Sequence, residues 1–391
     1  MKKSILQFSF LAAIAATMTL FTSCSKEESV GETFVPTPVQ FNIGVGDLSV
    51  SRAATRTQAS DTETDWNESI DGKFDTNDKI FIYTADADGK YYKKQYNVDT
   101  PAASAAGNNA VSPSDNTATG KFYWRSSTER KQYEIYSYGK NATETPTTAG
   151  SGDASMNLTI PEYTVTNDQT NVATPEEFLY GYGTIYYSTA AKTLKLAHQL
   201  ARIDIVITTP KNTVAVDKNG DSDTTDDGEA AQTANDMSVT IGTATTPRSG
   251  NFSKPSFTPT TAEADAATVA ASNTPADQIE EGIGSWTTTA TAQGAYTPRV
   301  LQKQTYNSTP GNFTTKYSAV VMPWNFPQDV AMFTIVYDGA TYAYKPASAE
   351  EIAAGYHYTY TVTIQENVLN VTNVTILNWT TSDKNATAVL Q

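Results

Sequence analysis

The chain has one cysteine, Cys24, and two histidines, His198 and His357. One thiol cannot close an intrachain disulfide, and one thiolate is too few ligands for a structural zinc site. No nucleophile stands beside either histidine at the spacing of a catalytic pair, so both read as structural groups. Carboxylates are plentiful, yet no local pattern picks out two that would face each other as a glycosidase needs. These residue types argue against an enzyme. Asp217, Asn219, Asp221 and Asp223 place oxygens at alternate positions, which suits calcium and its six to eight hard ligands. Ser222 stands where such loops usually carry glycine, and no Glu falls at the twelfth position. The run reads better as a solvated acidic hairpin tip. Arg52 and Arg56 lie in a linker of small residues, Ser51-Arg52-Ala-Ala-Thr-Arg56-Thr57, that an arginine-specific protease could bind in extended form.

The neighbours of Cys24 give the thiol a use. Lys2 and Lys3 precede a mostly apolar run from Ile5 to Phe21, and Thr22 and Ser23 lead into the cysteine. The run has the length of a signal-peptide core and is too short for a comfortable membrane span. The arrangement resembles a bacterial lipoprotein signal, residues 1–23, with Cys24 as the lipidated first residue. Ser25-Lys26-Glu27-Glu28 resembles the acidic tag that sends Bacteroidetes lipoproteins to the outer face of the outer membrane.

A net charge of −15 with no cluster of Lys or Arg excludes a nucleic-acid partner and disfavours docking on anionic lipid. Membrane attachment would run through the lipid alone. With 22 tyrosines among 391 residues and few charges, the composition fits a β-rich extracellular protein.

The elements that must position these residues are strands. Val39, Phe41, Ile43 and Val45 alternate with polar or small residues, as one buried face of a strand requires. Lys79–Tyr83, Tyr91–Val98, Gly120–Trp124 and Gln132–Tyr138 follow, with 99–119 read as a polar loop. Between Lys192 and Ile207 the apolar parity changes: Leu194, Leu196, His198 and Leu200 give way to Ala201, Ile203, Ile205 and Ile207. A straight strand cannot bury both sets on one face, so a bulge or a switch of sheets is expected near 198–201. Residues 217–235 read as an acidic loop. Residues 247–299 read as a Thr/Ala-rich region with at most one short helix near 262–271. Strands return at Lys316–Met322, Ala331–Tyr337, Thr341–Tyr344, Tyr356–Ile364 and Val368–Trp379. Short strands between turn clusters predict an all-β pair of sandwiches with a boundary near Pro210.

Several of these segments form an ordered set. It comprises the lipoprotein start, Thr55-Arg56, Trp66 followed by Asn77-Asp78-Lys-Ile-Phe-Ile, and Phe178-Leu-Tyr-Gly181. Leu194-Lys-Leu-Ala-His198-Gln-Leu-Ala-Arg-Ile-Asp-Ile, Gly355-Tyr-His-Tyr-Thr-Tyr-Thr-Val and Asn378-Trp379 complete it. In this order they resemble the fimbrillin-like family of Bacteroidales. Asn77 departs from the family, which more often has glycine there, and 247–299 looks like an insertion. The resemblance implies two transthyretin-like β-sandwich domains in tandem, 57–209 and 210–391, behind a tether and removable strand in 24–56. It also implies a fimbrial subunit cut after an arginine, Arg56 by the match to Thr55-Arg56, or else Arg52. The strand Val39–Val45 would then leave its sheet, and a neighbour's C-terminal strand would fill the space. Donor candidates are Leu369, Val371, Val374, Ile376, Val389 and Leu390. Implied partners are other fimbrillin subunits, the protease, and host or bacterial surface ligands. The alternative is a permanently anchored lipoprotein that binds glycans; aromatic runs such as Phe122-Tyr-Trp124 and Pro323-Trp324-Asn-Phe326 could stack on sugars, but core or inter-domain packing is the better reading of them.

Overall fold

Apolar alternation builds two groups of strands. A computed structural model of the chain describes residues 34–45, 74, 76–86, 88–100, 109–137, 160, 162–170, 178–210, 237–255, 277–280, 282–307, 312–337, 339–365 and 368–378. The architecture is all-β, with no α-helix among the described residues.

The first half contributes β1 (Thr37–Pro38), β2 (Phe41–Val45), β3 (Lys79–Ala85), β4 (Tyr91–Thr100), β5 (Asn109–Pro113), β6 (Tyr123–Trp124), β7 (Arg130–Ser137), β8 (Tyr163–Thr164), β9 (Leu179–Tyr186) and β10 (Lys192–His198). Seven of them lie side by side in the order β10-β2-β5-β4-β3-β7-β9. β9 also pairs with β10 through Leu179↔His198 and Tyr180↔Ala197, which closes the sheet on itself. Closure brings the two backbones together at Gly181, where a Cβ would lie 1.8 Å from the Lys195 carbonyl oxygen. That contact is the physical reason for glycine in the Phe178-Leu-Tyr-Gly181 segment. β3 is buried on both faces, with Ile80, Phe81, Ile82 and Tyr83 all inside. This is why it reads as a continuous apolar run rather than as alternation. Asn77, just before it, has a φ of 73°. Asparagine tolerates this left-handed conformation better than most residues other than glycine.

The second half contributes β11 (Ala201–Pro210), β12 (Met237–Ile241), β13 (Pro247–Ser253), β14 (Gln278–Glu280), β15 (Ser285–Gln293), β16 (Arg299–Asn307), β17 (Asn312–Val321), β18 (Trp324–Phe326), β19 (Phe333–Tyr337), β20 (Ala340–Tyr344), β21 (Glu350–Ile352), β22 (Tyr356–Gln365) and β23 (Val368–Asn378). A five-stranded sheet, β16-β17-β11-β22-β23, and a three-stranded sheet, β12-β19-β20, share a core. Phe333 and Tyr344 of the smaller sheet meet Tyr360 of the larger at ring separations of 5.5 and 5.8 Å. Ile203, Ile205, Ile207, Val239, Ile241 and Ile335 fill the space around them. The result is a sandwich whose inner faces are the apolar parities of their strands. β13 sits between β15 and β8, β18 pairs with β21, and β14 adds to the edge of β9.

The parity change is a switch of sheets. β10 ends at His198 in the closed sheet, and β11 starts at Ala201 in the five-stranded one. A boundary at 210 would leave β11 with the first half, but its pairing with β17 and β22 places it with the second. Gln199 secures the crossing. Its side chain donates to the Ala197 and Gly282 carbonyls at 2.9 and 3.0 Å and accepts from the Gly284 amide at 2.9 Å. The Trp286 indole donates to the Gln199 carbonyl at 2.5 Å.

Two sequence expectations need correction. The 99–119 segment, read as a loop, contains β5, which pairs with both β2 and β4. The 247–299 region contains β13, β14, β15 and the start of β16. β15 is largely solvent-exposed, so it carries Thr and Ala instead of an apolar face and gives no periodic signal.

Candidate functional site

β2 lies in a slot. It runs parallel to β10, with Ile43 opposite Leu194 and Val45 opposite Leu196, and antiparallel to β5, with Phe41 opposite Val111. Val39, Phe41 and Ile43 are 5%, 2% and 0% exposed, whereas Gln40 faces solvent. The Phe41 ring meets Tyr96 edge-on at 5.4 Å and Phe122 at 6.4 Å. The strand is fixed along its length: the Val39 amide donates to the Phe122 carbonyl, the Lys192 amide to the Gln40 carbonyl, and Asn109 Nδ2 to the Ile43 carbonyl at 3.1 Å. Just before it, β1 pairs with β6. At about 1.5–3 kcal/mol for each buried apolar side chain, Val39, Phe41 and Ile43 hold the strand by several kcal/mol before ordering costs.

At the other end, β23 is an edge strand that pairs with β22 alone among the described residues. Val371 stands opposite Val362, Val374 opposite Tyr360 and Ile376 opposite Tyr358; Leu369 is half-buried against the core. Cys24, Arg52, Arg56, Asp217, Asn219, Asp221, Asp223, Val389 and Leu390 lie outside the described residues. Among the described residues, no group of three or more His, Cys, Asp or Glu is arranged to hold a metal ion. Nor is any helix there long and apolar enough to cross a membrane.

The histidines occupy different settings. His198, at the end of β10, is fully buried. Burial, aided by the charge of Arg202, pushes its pKa down to about 3. His357, on β22, sits with Nε2 3.1 Å from the buried Asp204 carboxylate. Burial lowers its pKa, and Asp204 opposes that shift. Around Asp204 the structure assembles a group that the sequence did not announce. Arg202 grips it through two nitrogens at 2.8 and 2.9 Å, Ser318 donates to it at 2.6 Å, and Lys316 approaches to 3.0 Å. Burial alone would raise this carboxyl, but Arg202, His357 and Lys316 outweigh it and hold Asp204 well below the usual carboxylate range. The signal was present in Arg202 and Asp204, two charges on the strand parity opposite Ile203 and Ile205. Their partners come from β17 and β22, more than a hundred residues away.

The histidine settings fix the response to acid. Folding lowers the pKa of both histidines, through burial in each case, so both have a higher pKa when unfolded. Their contribution is therefore complete above about pH 6.5 and is lost as pH falls. Urea titrations at pH 7.5, 5.5 and 4.5 should show stability dropping by about 1.4 kcal/mol per pH unit from His198 once below about pH 6. His198→Gln should flatten that slope; an unchanged slope in this variant would assign the acid sensitivity elsewhere.

The fold is similar to that of solved proteins from Bacteroidales. A candidate cell adhesion protein of Bacteroides ovatus matches with a TM-score of 0.52 and 16% identity, over 90% of this chain and 100% of that one. A fimbrial assembly protein of Parabacteroides distasonis (TM-score 0.39, 12% identity, 91% and 99% coverage) and the tip fimbrial protein Mfa3 of Porphyromonas gingivalis, truncated at its C-terminus (0.39, 8%, 88% and 100%), also match. At 16% identity the first of these likenesses is one of fold. No curated protein matches the sequence. A family model described as fimbrillin-like matches residues 55–379, and the chain belongs to that family.

Proposed function

We propose that this chain is a structural subunit of surface fimbriae that supports adhesion, with other fimbrillin subunits as its partners. Family membership supports the fimbrial role and, with it, a place at the cell surface. In the same reading the precursor is anchored in the outer membrane through a lipid on Cys24 and cut after Arg56 or Arg52 by an arginine-specific protease. It then polymerises by donor-strand exchange.

The observation that carries this reading is the position of β2. It is a short strand set between β10 and β5, and the chain from it to β3 passes through both arginines. A cut there leaves β2 held only by its side chains and main-chain hydrogen bonds. Until the cut, tethering keeps the strand at high effective concentration and the slot filled. A later occupant gains the same ladder and pockets, as in other strand-addition complexes. β23 or the tail through Val389 and Leu390 is the proposed donor.

Arg52→Ala/Arg56→Ala should give a folded, lipidated monomer that forms no SDS-resistant ladder; ladders from this variant would end the strand-exchange reading. If the variant stays anchored and binds glycans as well as the unmodified protein does, the alternative of a permanent glycan-binding lipoprotein gains. Cys24→Ala should accumulate full-length precursor. Calcium at Asp217, Asn219, Asp221 and Asp223 remains a separate proposal, and a flat calorimetric titration would remove it.

A further inference from the structure

We infer that the paired rings of Tyr96 and Phe122 select the occupant of the slot: a strand is held tightly only with an aromatic side chain where Phe41 lies and a branched aliphatic one two residues later. Three observations carry this.

The first is shape. Phe41 stands at 88° to Tyr96 and 86° to Phe122, a T-shaped contact with each, while Tyr96 and Phe122 are stacked at 9° to each other. Edge-to-face contacts favour an aromatic side chain beyond its apolar area, and there are two of them.

The second is rigidity. Tyr96 and Phe122 are 2% and 0% exposed. The ammonium of Lys94 lies 4.4 Å from the Phe122 ring centre and is itself paired with Asp86 and the Lys121 carbonyl. Walls so placed cannot close around a smaller side chain, so an aliphatic residue there would leave a void.

The third is register. Two residues on, the Ile43 carbonyl accepts from Asn109 Nδ2, and the Ile43 side chain is fully buried opposite Leu194. A strand shifted by one residue would turn its apolar face outwards. A shift by two would move the aromatic ring out of its box.

The rest of the inference rests on the strand-exchange reading. Val368–Asn378 contains no aromatic residue. Of the donors proposed above, β23 of an identical copy is therefore set aside, and the favoured partner is a subunit whose strand supplies the aromatic-x-aliphatic pair.

The test has two arms. In the intact chain, the swap Phe41→Ile/Ile43→Phe keeps composition and total apolar volume. It should speed amide exchange of residues 39–45 at least tenfold, and Phe41→Leu, a milder change, should speed it severalfold. Unchanged exchange in the folded variants overturns the inference. In protein nicked after the arginines, labelled peptides of residues 37–45, their swapped form and residues 368–378 compete for the slot. The unmodified 37–45 peptide should exceed both others by at least tenfold. Equal binding by the swapped or the 368–378 peptide overturns the inference. If the intact-chain swap acts as expected but no peptide enters the nicked protein, the strand-exchange reading fails and the aromatic selection stands for β2 alone.

Discussion

Aspartate in place of Ile43 should cost the chain about 4 kcal/mol or more and loosen the slot before the rest of the molecule. Ile43 is fully buried between β10 and β5, so the change removes a whole aliphatic side chain from the core. It also strands a carboxylate where the structure offers no cation opposite it: Leu194 and Asn109 are its cross-strand neighbours. Loss of the aliphatic group alone is worth about 2–5 kcal/mol, and an unpaired buried charge adds to it. Gln40→Asp is the control, because Gln40 faces solvent on the same segment; surface changes of this kind stay within about 0.5 kcal/mol. Urea unfolding gives the magnitude, and hydrogen exchange gives the location, with residues 109–113 and 192–198 losing protection along with β2. A midpoint for Ile43→Asp equal to that of Gln40→Asp would mean that β2 does not hold the sheet together.

The second large effect should come from Asp204→Ala. Arg202 is 6% exposed and has Asp204 as its bidentate partner, with Ser318 as a further acceptor. Removing the carboxylate leaves a buried guanidinium uncompensated, a change that typically costs about 3–5 kcal/mol. Replacing both members with apolar residues, Arg202→Met/Asp204→Leu, should recover most of that loss, since a buried pair contributes little over well-packed hydrophobic groups. Lys316→Met should cost about 1 kcal/mol or less, because that side chain is 29% exposed and its attraction is screened by solvent. Urea denaturation of the four proteins at one pH checks the order. If Asp204→Ala and Lys316→Met shift the midpoint equally, the grip of Arg202 on Asp204 is not what holds β11 to its neighbours.

Much of the architecture was legible because burial on one face prints itself on the sequence. Tyr358, Tyr360, Val362 and Ile364 alternate with threonines because one face of β22 fills the sandwich. The parity change at 198–201 correctly required a break, and the break is a change of sheets. What stayed hidden has equally physical causes. β5 is five residues long and reads Asn-Ala-Val-Ser-Pro; only Val111 marks its inner face, so local pattern is weak and pairing with β2 and β4 decides. β15 follows β13 with little burial of its own. The walls of the slot, Tyr96 and Phe122, were visible as aromatic residues, but nothing local tied them to Phe41. That tie is made by sheet order. Asp204 was one carboxylate among many until two distant strands brought Lys316, Ser318 and His357 to it.

The crossing at Gln199 has a mechanical consequence. Along the chain, the closed sheet and the five-stranded sheet are joined there by two residues, so tension between a filled slot and β23 would converge on a single peptide. The segment from Asp277 to Trp286 provides a second load path. Lys192 on β10 holds Asp277 through both carboxylate oxygens at 3.0 and 2.9 Å, and β14 lies along β9. Gln199 and Trp286 then tie the segment to the crossing itself. Covalent and non-covalent links therefore act in parallel, and several bonds must fail together before the two halves part. If the strand-exchange reading holds, a subunit pulled between its slot and its far sheet would load both links at once.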